Sequence, residues 1–265
     1  MSPSLLGLPS GACVISANKY IGFGRTGTQE EMQVGSTPQA CPAVLITPPL
    51  ADGEVMVVRG AESMIEMEGY GREAKLEAIL EKGTWHWSRR TMLFMDALEL
   101  DSFDTQDGHF VPDLLSGNVD RELTKAYTAF NSGLKIACSG SDSDAYSEVV
   151  TGLWGCGAFG GNKEIKTLIQ WCAASMANVP LTFVCEAVEC ICPVVGGCHD
   201  SYFASPQQRE VEFLAQLKVF KNRAEQEMWA VGDVLNFLRT VLPEDEGARN
   251  FLGYVTQTIG RRQYT

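Results

Sequence analysis

The sequence predicts a layered α/β fold, a central sheet with helices packed against it. Two observations carry this reading: short runs rich in β-branched and aromatic residues alternate with longer segments of helical period, and Pro and Gly punctuate the joints. No internal repeat or low-complexity linker interrupts the 265 residues, which predicts one domain over 1–265, and a 45% hydrophobic fraction can fill a sizeable core.

Strands buried on both faces are expected at 43–47, 55–58, 92–95, 148–151 and 181–184, where apolar runs are too short for helices. Helices are expected at 121–130, 165–177, 210–220 and 231–241. In the second of these, Ile165, Leu168, Ile169, Cys172 and Met176 recur at steps of three and four and read as a core stripe. In such sandwiches ligand sites gather at loops beyond strand ends.

Charge narrows the function classes. A net charge of -12 repels DNA, RNA and anionic membranes unless basic residues cluster, and only pairs such as Arg89-Arg90 and Arg261-Arg262 are present. Direct sequence-specific nucleic-acid binding and membrane binding are therefore not expected. No run approaches the ~18 apolar residues of a membrane helix, and the first residues carry neither a basic region nor an apolar signal core. A soluble intracellular protein, nuclear or cytoplasmic, is expected. The nine cysteines are odd in number and spread from Cys13 to Cys198, which fits reduced thiols better than a disulfide framework. Cys190, Cys192, Cys198 and His199 could supply soft metal ligands, but their spacing departs from the common zinc patterns, so a Gly-rich loop is preferred and no metal or cofactor is expected.

Two glycine-rich junctions stand out. In the first, Gly22, Gly24 and Gly27 let the backbone take positive φ and approach a ligand, while Thr28 is a plausible N-cap for a helix opening Gln29-Glu30-Glu31. Acidic residues at a helix start also have an ordinary explanation, because the dipole favours them by about 0.3–1 kcal/mol. The second junction, Thr151-Gly152-Leu153-Trp154-Gly155-Cys156-Gly157-Ala158-Phe159-Gly160-Gly161-Asn162, follows a predicted strand and precedes a helix over 163–177. Consecutive N–H groups there could form a nest for a phosphate or diphosphate. It lacks the Lys-Ser/Thr ending of a P-loop and misses the dinucleotide fingerprint; a tight turn packed by Trp154 and Phe159 is the alternative.

Together the two segments resemble the poly(ADP-ribose) glycohydrolase family, whose signature is a triple-glycine loop leading into Gln-Glu-Glu on a macrodomain-like fold. The stretch from Thr151 to Gly161, continuing into Leu168-Ile169-Gln170, resembles the family's diphosphate loop and following helix. Further similarity lies at Gly69-Tyr70 after Glu66, Asp96-Ala97-Leu98, Arg121-Glu122-Leu123 with Lys125-Ala126-Tyr127, and Val231-Gly232-Asp233-Val234. The resemblance implies an α/β, macrodomain-like three-layer sandwich with a mixed central sheet flanked by helices, in a minimal form. Carried over by position, it implies that Glu31 is the catalytic acid/base and that Glu30 positions the ribose hydroxyls. It places Gln29 and Tyr70 at the adenine end, Asn18 on the ribose at the cleaved bond with Gly22 and Gly24 in the adjoining loop, and Gly155, Cys156, Gly157, Ala158 and Phe159 around the diphosphate. All should line one cleft, with poly(ADP-ribose), ADP-ribose and poly(ADP-ribosyl)ated proteins as partners. Departures are plain: the triple glycine is Gly22-Phe23-Gly24, the loop to Gln29 is about three residues short, Ile15 and Leu153 replace an aspartate and an asparagine, and Glu186 falls near a phenylalanine.

Breaking a ribose–ribose bond requires protonating the leaving oxygen as an oxocarbenium-like centre develops, so the acid must hold its proton near neutral pH. A carboxyl that lies beside another and is partly desolvated has a raised pKa, because two adjacent carboxylates resist being charged together. Neighbouring helix positions point about 100° apart; both glutamates cannot flank one bond, and one carboxyl must act twice. Against a polyanion the local positive potential comes from loop N–H groups and helix dipoles; Arg25 either adds a charge or is a solvated loop residue. Two rival readings are a binding module of the same fold that cleaves nothing, its geometry spoiled by Phe23 and the shortened loop, and a hydrolase pairing Cys156 or Ser175 with His86, His109 or His199. No local signature ties a histidine to either nucleophile.

Overall fold

The computed structural model describes residues 11–24, 27–69, 71–81, 86–103, 110–133, 146–184 and 206–262. In chain order the elements are β1 (Ala12–Ala17), α1 (Gln29–Ser36), α2 (Cys41–Ile46), β2 (Met56–Arg59), β3 (Ile65–Glu68), β4 (Lys75–Ile79), β5 (Thr91–Asp96), α3 (Asn118–Phe130), β6 (Val149–Thr151), α4 (Lys163–Ala177), β7 (Leu181–Phe183), α5 (Pro206–Gln226), α6 (Val231–Thr240) and α7 (Phe251–Arg262). The chain forms two compact units, one of residues 1–97, 121–154 and 173–184, the other of 98–120, 155–172 and 185–265.

The first unit holds a mixed sheet in the order β2-β5-β1-β6-β7. β1 runs parallel to β5 and β6, β7 parallel to β6, and β2 closes one edge antiparallel to β5. All six residues of β5 and five of the six in β1 are buried, which marks the two central strands. Continuous apolar strands of this kind need cover on both faces. Cys13, Ile15, Met92 and Phe94 pack with Val34 of α1 and with Ile21, Ala40, Leu50 and Ala61. Each such large side chain contributes about 1.5–3 kcal/mol when fully buried. The register pairs Ala17 with Asp96, so β1 and β5 end side by side and the 18–28 segment leaves the sheet at its carboxyl edge.

Asp96 is the anchor at that edge. Lys125 of α3, fully buried, sets its ammonium 2.6 Å from Asp96 Oδ1 and donates to the carbonyls of Ala51 and Glu54 at 2.6 and 2.7 Å. Arg121 pairs with the other Asp96 oxygen and donates to the Asp96 carbonyl at 3.0 Å, to Glu122 at 2.6 Å and to Asp52 at 3.0 Å. The resemblance at Asp96-Ala97 and at Arg121 through Tyr127 therefore corresponds to a buried ion cluster fastening α3 to the end of β5.

Four of the five expected strands are present within one residue of their bounds; the fifth is corrected. Residues 43–47 are read from their apolar content as a strand, yet Cys41–Ile46 is a helix with Pro42 in its first turn, where a missing N–H is no loss, and Leu45 and Ile46 face solvent at 87% and 80% exposure. β1, the β3–β4 hairpin and α7 were not foreseen. Met176 also leaves its expected place: Ile165, Leu168, Ile169 and Cys172 are fully buried, but Met176 is 47% exposed.

In the second unit α5, α6 and α7 surround an aromatic core. Trp171 and Phe220 meet edge to face at 5.4 Å, Phe220 and Trp229 at 5.7 Å, and Phe237 and Phe251 at 5.5 Å. Arg223 ties α5 to α7 through the Thr256 carbonyl at 3.0 Å. Glu164 of α4 accepts the Leu252 N–H at 2.9 Å, satisfying one of the open donors at the start of α7. Among the described residues no helix is long and apolar enough to cross a membrane.

Candidate active site

The first glycine junction folds around the two carboxylates that follow it. Glu30, 4% exposed, accepts the Asn18 N–H on Oε2 and the Gly22 N–H on Oε1, both at 2.8 Å. Glu31, half-buried, accepts the Gly24 N–H on Oε1 at 2.8 Å; its Oε2 accepts the Thr28 N–H at 2.9 Å and a hydrogen bond from the Thr28 hydroxyl. The reach from Glu31 back to Thr28 is the acidic half of a capping box, and it confirms Thr28 as the N-cap of α1. The two carboxylates point to different stretches of the same loop, as their helical offset requires.

Gly22, Gly24 and Gly27 do not adopt positive φ, contrary to expectation. Their role is close approach. A Cβ on Gly24 would lie 2.5 Å from Glu31 Oε1, and one on Gly27 would lie 2.8 Å from the Ala74 Cβ, because Gly27 bridges to Gly71 of the segment between β3 and β4. Gly22 has room, its nearest neighbour being Val44 at 3.6 Å.

Gln29 turns toward the sheet. Its Oε1 accepts the Ser16 N–H at 2.9 Å and its Nε2 donates to the Val14 carbonyl at 3.2 Å. β6 pairs with β1 only at Ala12 and Cys13, which leaves these groups of β1 without a ladder partner, and the amide takes the place of a strand. Asn18 accepts the Tyr20 N–H at 3.0 Å in a local turn. Tyr70 and Arg25 lie outside the described residues, as do Glu186, Cys190, Cys192, Cys198, His109 and His199.

Burial pushes the Glu30 carboxyl up to about 7; the Asn18 and Gly22 N–H groups oppose this, and the charge of Glu31 adds only the smallest contribution in the same direction. Of the two causes expected from the sequence, partial desolvation is thus the main one and the neighbouring carboxylate the lesser. Desolvation is larger because the Glu30 side chain is enclosed by the loop it holds.

Residues 155–162 of the second junction, which belong to the second unit, form a tight turn at the start of α4. Gly155 and Gly160 adopt φ of +74° and +68°, and a Cβ on Gly160 would stand 3.0 Å from the Asp101 Cα. Gly161 donates to the Gly155 carbonyl at 2.9 Å, Gly160 to that of Gly157 at 3.0 Å, and Leu100 to that of Phe159 at 2.8 Å. Asn162 caps α4 through its Oδ1, which accepts the Glu164 and Ile165 N–H groups at 2.9 and 3.2 Å, while its own N–H goes to buried Asp113 at 2.9 Å. Gly157 and Ala158 are exposed and Phe159 half-buried; among the described residues their N–H groups donate no hydrogen bond. Trp154, expected as packing, is buried in the first unit and donates to the Met95 carbonyl at 3.0 Å.

Among the described residues Cys13, Cys41, Cys156 and Cys172 form no disulfide. Among the described residues no three His, Cys, Asp or Glu side chains converge as a metal site.

The model of a family described as Poly (ADP-ribose) glycohydrolase (PARG), Macro domain fold, matches residues 9–191. Poly(ADP-ribose) glycohydrolase 2 of Caenorhabditis elegans is 30% identical over 181 residues, covering 63% of this chain and 35% of that protein. Poly(ADP-ribose) glycohydrolase 1 of Arabidopsis thaliana is 26% identical over 240 residues, covering 65% of this chain and 43% of that protein. The chain thus spans less than half the length of these curated relatives. A solved Oceanobacillus iheyensis macrodomain with MES bound superposes with a TM-score of 0.39 at 12% identity, over 68% of this chain and 78% of that one. Since the family match runs from before β1 to beyond β7 and takes in both glycine junctions, the chain belongs to the poly(ADP-ribose) glycohydrolase family and has its macrodomain fold.

Proposed function

We propose that this chain hydrolyses the ribose–ribose O-glycosidic bonds of poly(ADP-ribose), including polymer carried on modified proteins, and releases ADP-ribose with Glu31 as general acid and then base. The observation that supports this most directly is the arrangement of consecutive carboxylates on one glycine loop. Glu30 is buried with both oxygens engaged, which suits it to hold the loop; Glu31 is the accessible member. An ionised carboxylate has about four acceptor positions, and the bonds to Gly24 and Thr28 leave one on Glu31 Oε1.

In the proposed reaction Glu31 Oε1 gives its proton to the leaving oxygen as the glycosidic C–O bond breaks. The sugar passes through an oxocarbenium-like state, and the carboxylate then takes a proton from the water that adds to the anomeric carbon. Asn18 is assigned to the ribose, Gln29 and Tyr70 to the adenine end, and the turn at Gly155, Cys156, Gly157, Ala158 and Phe159 to the diphosphate. Among the described residues the N–H groups of Gly157, Ala158 and Phe159 donate no hydrogen bond, which supports its assignment; the hydrogen bonds of Gln29 to β1 give that residue a structural duty as well.

Glu31→Gln is the test. Release of ADP-ribose from labelled polymer is expected to fall by at least about a hundredfold, with affinity for ADP-ribose within a few-fold of the unaltered protein. Turnover above a tenth of normal rejects the role of Glu31. An unaltered protein that holds ADP-ribose and releases none from polymer is a binding module instead.

A further inference from the structure

Phe23 replaces the middle residue of the glycine loop, and its environment is unusual for an apolar side chain. Phe23 is 58% exposed, yet the backbone on both sides is fixed: the Gly22 N–H is held by Glu30 and the Gly24 N–H by Glu31, each at 2.8 Å. One edge of the ring lies 4.0 Å from where a Cβ on Gly35 would sit, so it leans toward the α1 backbone without a side chain beneath it there. Among the described residues no other ring and no cation faces it, whereas nearby Tyr20 already has the Lys19 ammonium 5.5 Å from its ring centre. A single exposed apolar residue is ordinary; one fixed at both flanks to the two candidate acids is a preorganised surface.

We infer that Phe23 is a specificity-determining contact that stacks on the adenine of the departing polymer unit. The inference rests on the hydrolase reading above. In poly(ADP-ribose) the leaving oxygen is a hydroxyl on an adenosine, so the group protonated by Glu31 carries a purine within one sugar of the reacting bond. Gly24 joins Phe23 directly to the N–H that Glu31 Oε1 accepts, and the ring leans toward Gly35, one turn beyond Glu31 on α1. An aromatic face meets a purine without hydrogen-bond readout and at little entropic cost when its backbone is already held. This contact favours polymer over free ADP-ribose, which has no departing nucleoside.

The test compares Phe23→Ala, Phe23→Leu, Phe23→Tyr and Phe23→Trp, with steady-state kinetics on polymer, retention of labelled polymer on a filter, and calorimetric titration of free ADP-ribose. For Phe23→Ala, KM and the polymer dissociation constant are expected to rise between about fivefold and about a hundredfold, the range of base–aromatic stacking. kcat and affinity for free ADP-ribose stay within twofold. Phe23→Leu follows the alanine variant, and Phe23→Tyr and Phe23→Trp keep the affinity of the unaltered protein. Because Phe23 is mostly exposed, all four should fold, and thermal unfolding checks this. The inference is overturned if Phe23→Leu matches the unaltered protein, if Phe23→Ala changes nothing, or if free ADP-ribose binding falls in parallel. A protein that binds polymer but releases nothing defeats the hydrolase reading while the filter assay still decides on Phe23; one that binds neither ligand defeats both.

Discussion

Glu30 makes stability depend on pH in a direction opposite to that of most carboxylates. In the folded chain it titrates near 7, against 4.5 for the ordinary group, because burial outweighs its two backbone hydrogen bonds. Between those values the folded state binds a proton that the unfolded state has released, so stability falls as pH rises. The favourable contribution is full below about pH 4.5 and lost by the time pH passes 7. Complete conversion corresponds to about 3 kcal/mol at most, and solvent reaching the loop reduces this to about 1–2 kcal/mol. Glu30→Gln removes the titration while keeping the shape. Subtracting its urea-unfolding free energy from that of the unaltered protein at each pH from 5 to 8 isolates the one group. The difference should shift by about 1–2 kcal/mol against the unaltered protein across that range. A flat difference, or one that rises with pH, would show that the two N–H donors outweigh desolvation and that Glu30 is an ordinary carboxylate.

Three further outcomes follow from the geometry. Gly24→Ala drives a methyl to within 2.5 Å of Glu31 Oε1; a displaced acid should lower kcat by about 10- to 100-fold with less than about 1 kcal/mol change in stability, measured by polymer turnover beside denaturant unfolding. Gln29→Leu leaves the Ser16 N–H and Val14 carbonyl unpaired and should destabilise by about 2–4 kcal/mol, with Gln29→Glu between the two because it retains only the acceptor. Lys125→Met removes the ammonium that serves Asp96, Ala51 and Glu54, and a loss of about 3–5 kcal/mol in urea unfolding is expected; a loss below 1 kcal/mol would mean that Arg121 alone neutralises Asp96.

The parts of this molecule readable from sequence were those whose signal is local. β5 and α4 carry long apolar patterns that only one environment satisfies, and both lie within two residues of expectation. The 43–47 run failed because β-branched content describes composition, whereas the Pro42 helix start and solvent exposure of Leu45 and Ile46 are matters of position. The β3–β4 hairpin was missed although Ile65, Met67, Leu76 and Ala78 alternate with charged residues, a short signal broken by a register shift between Glu66 and Met67. At the candidate site the ordinary explanation of the acid pair holds, since Glu31 caps its helix, and the side chain is nonetheless partly accessible. The duty of Gln29 was invisible for a different reason. It depends on β6 ending early, a fact about another strand more than a hundred residues away in the chain.

That early ending has a practical consequence for anyone altering this protein. Because an amide stands in for the absent strand segment, the residue that precedes the acid pair is hydrogen-bonded directly to the margin of the sheet. Random libraries across the Gln-Glu-Glu triplet will therefore confound two phenotypes, and losses at position 29 will look like failed chemistry when the sheet margin has frayed. Lengthening β6 so that its own backbone meets Val14 and Ser16 would free that position for redesign.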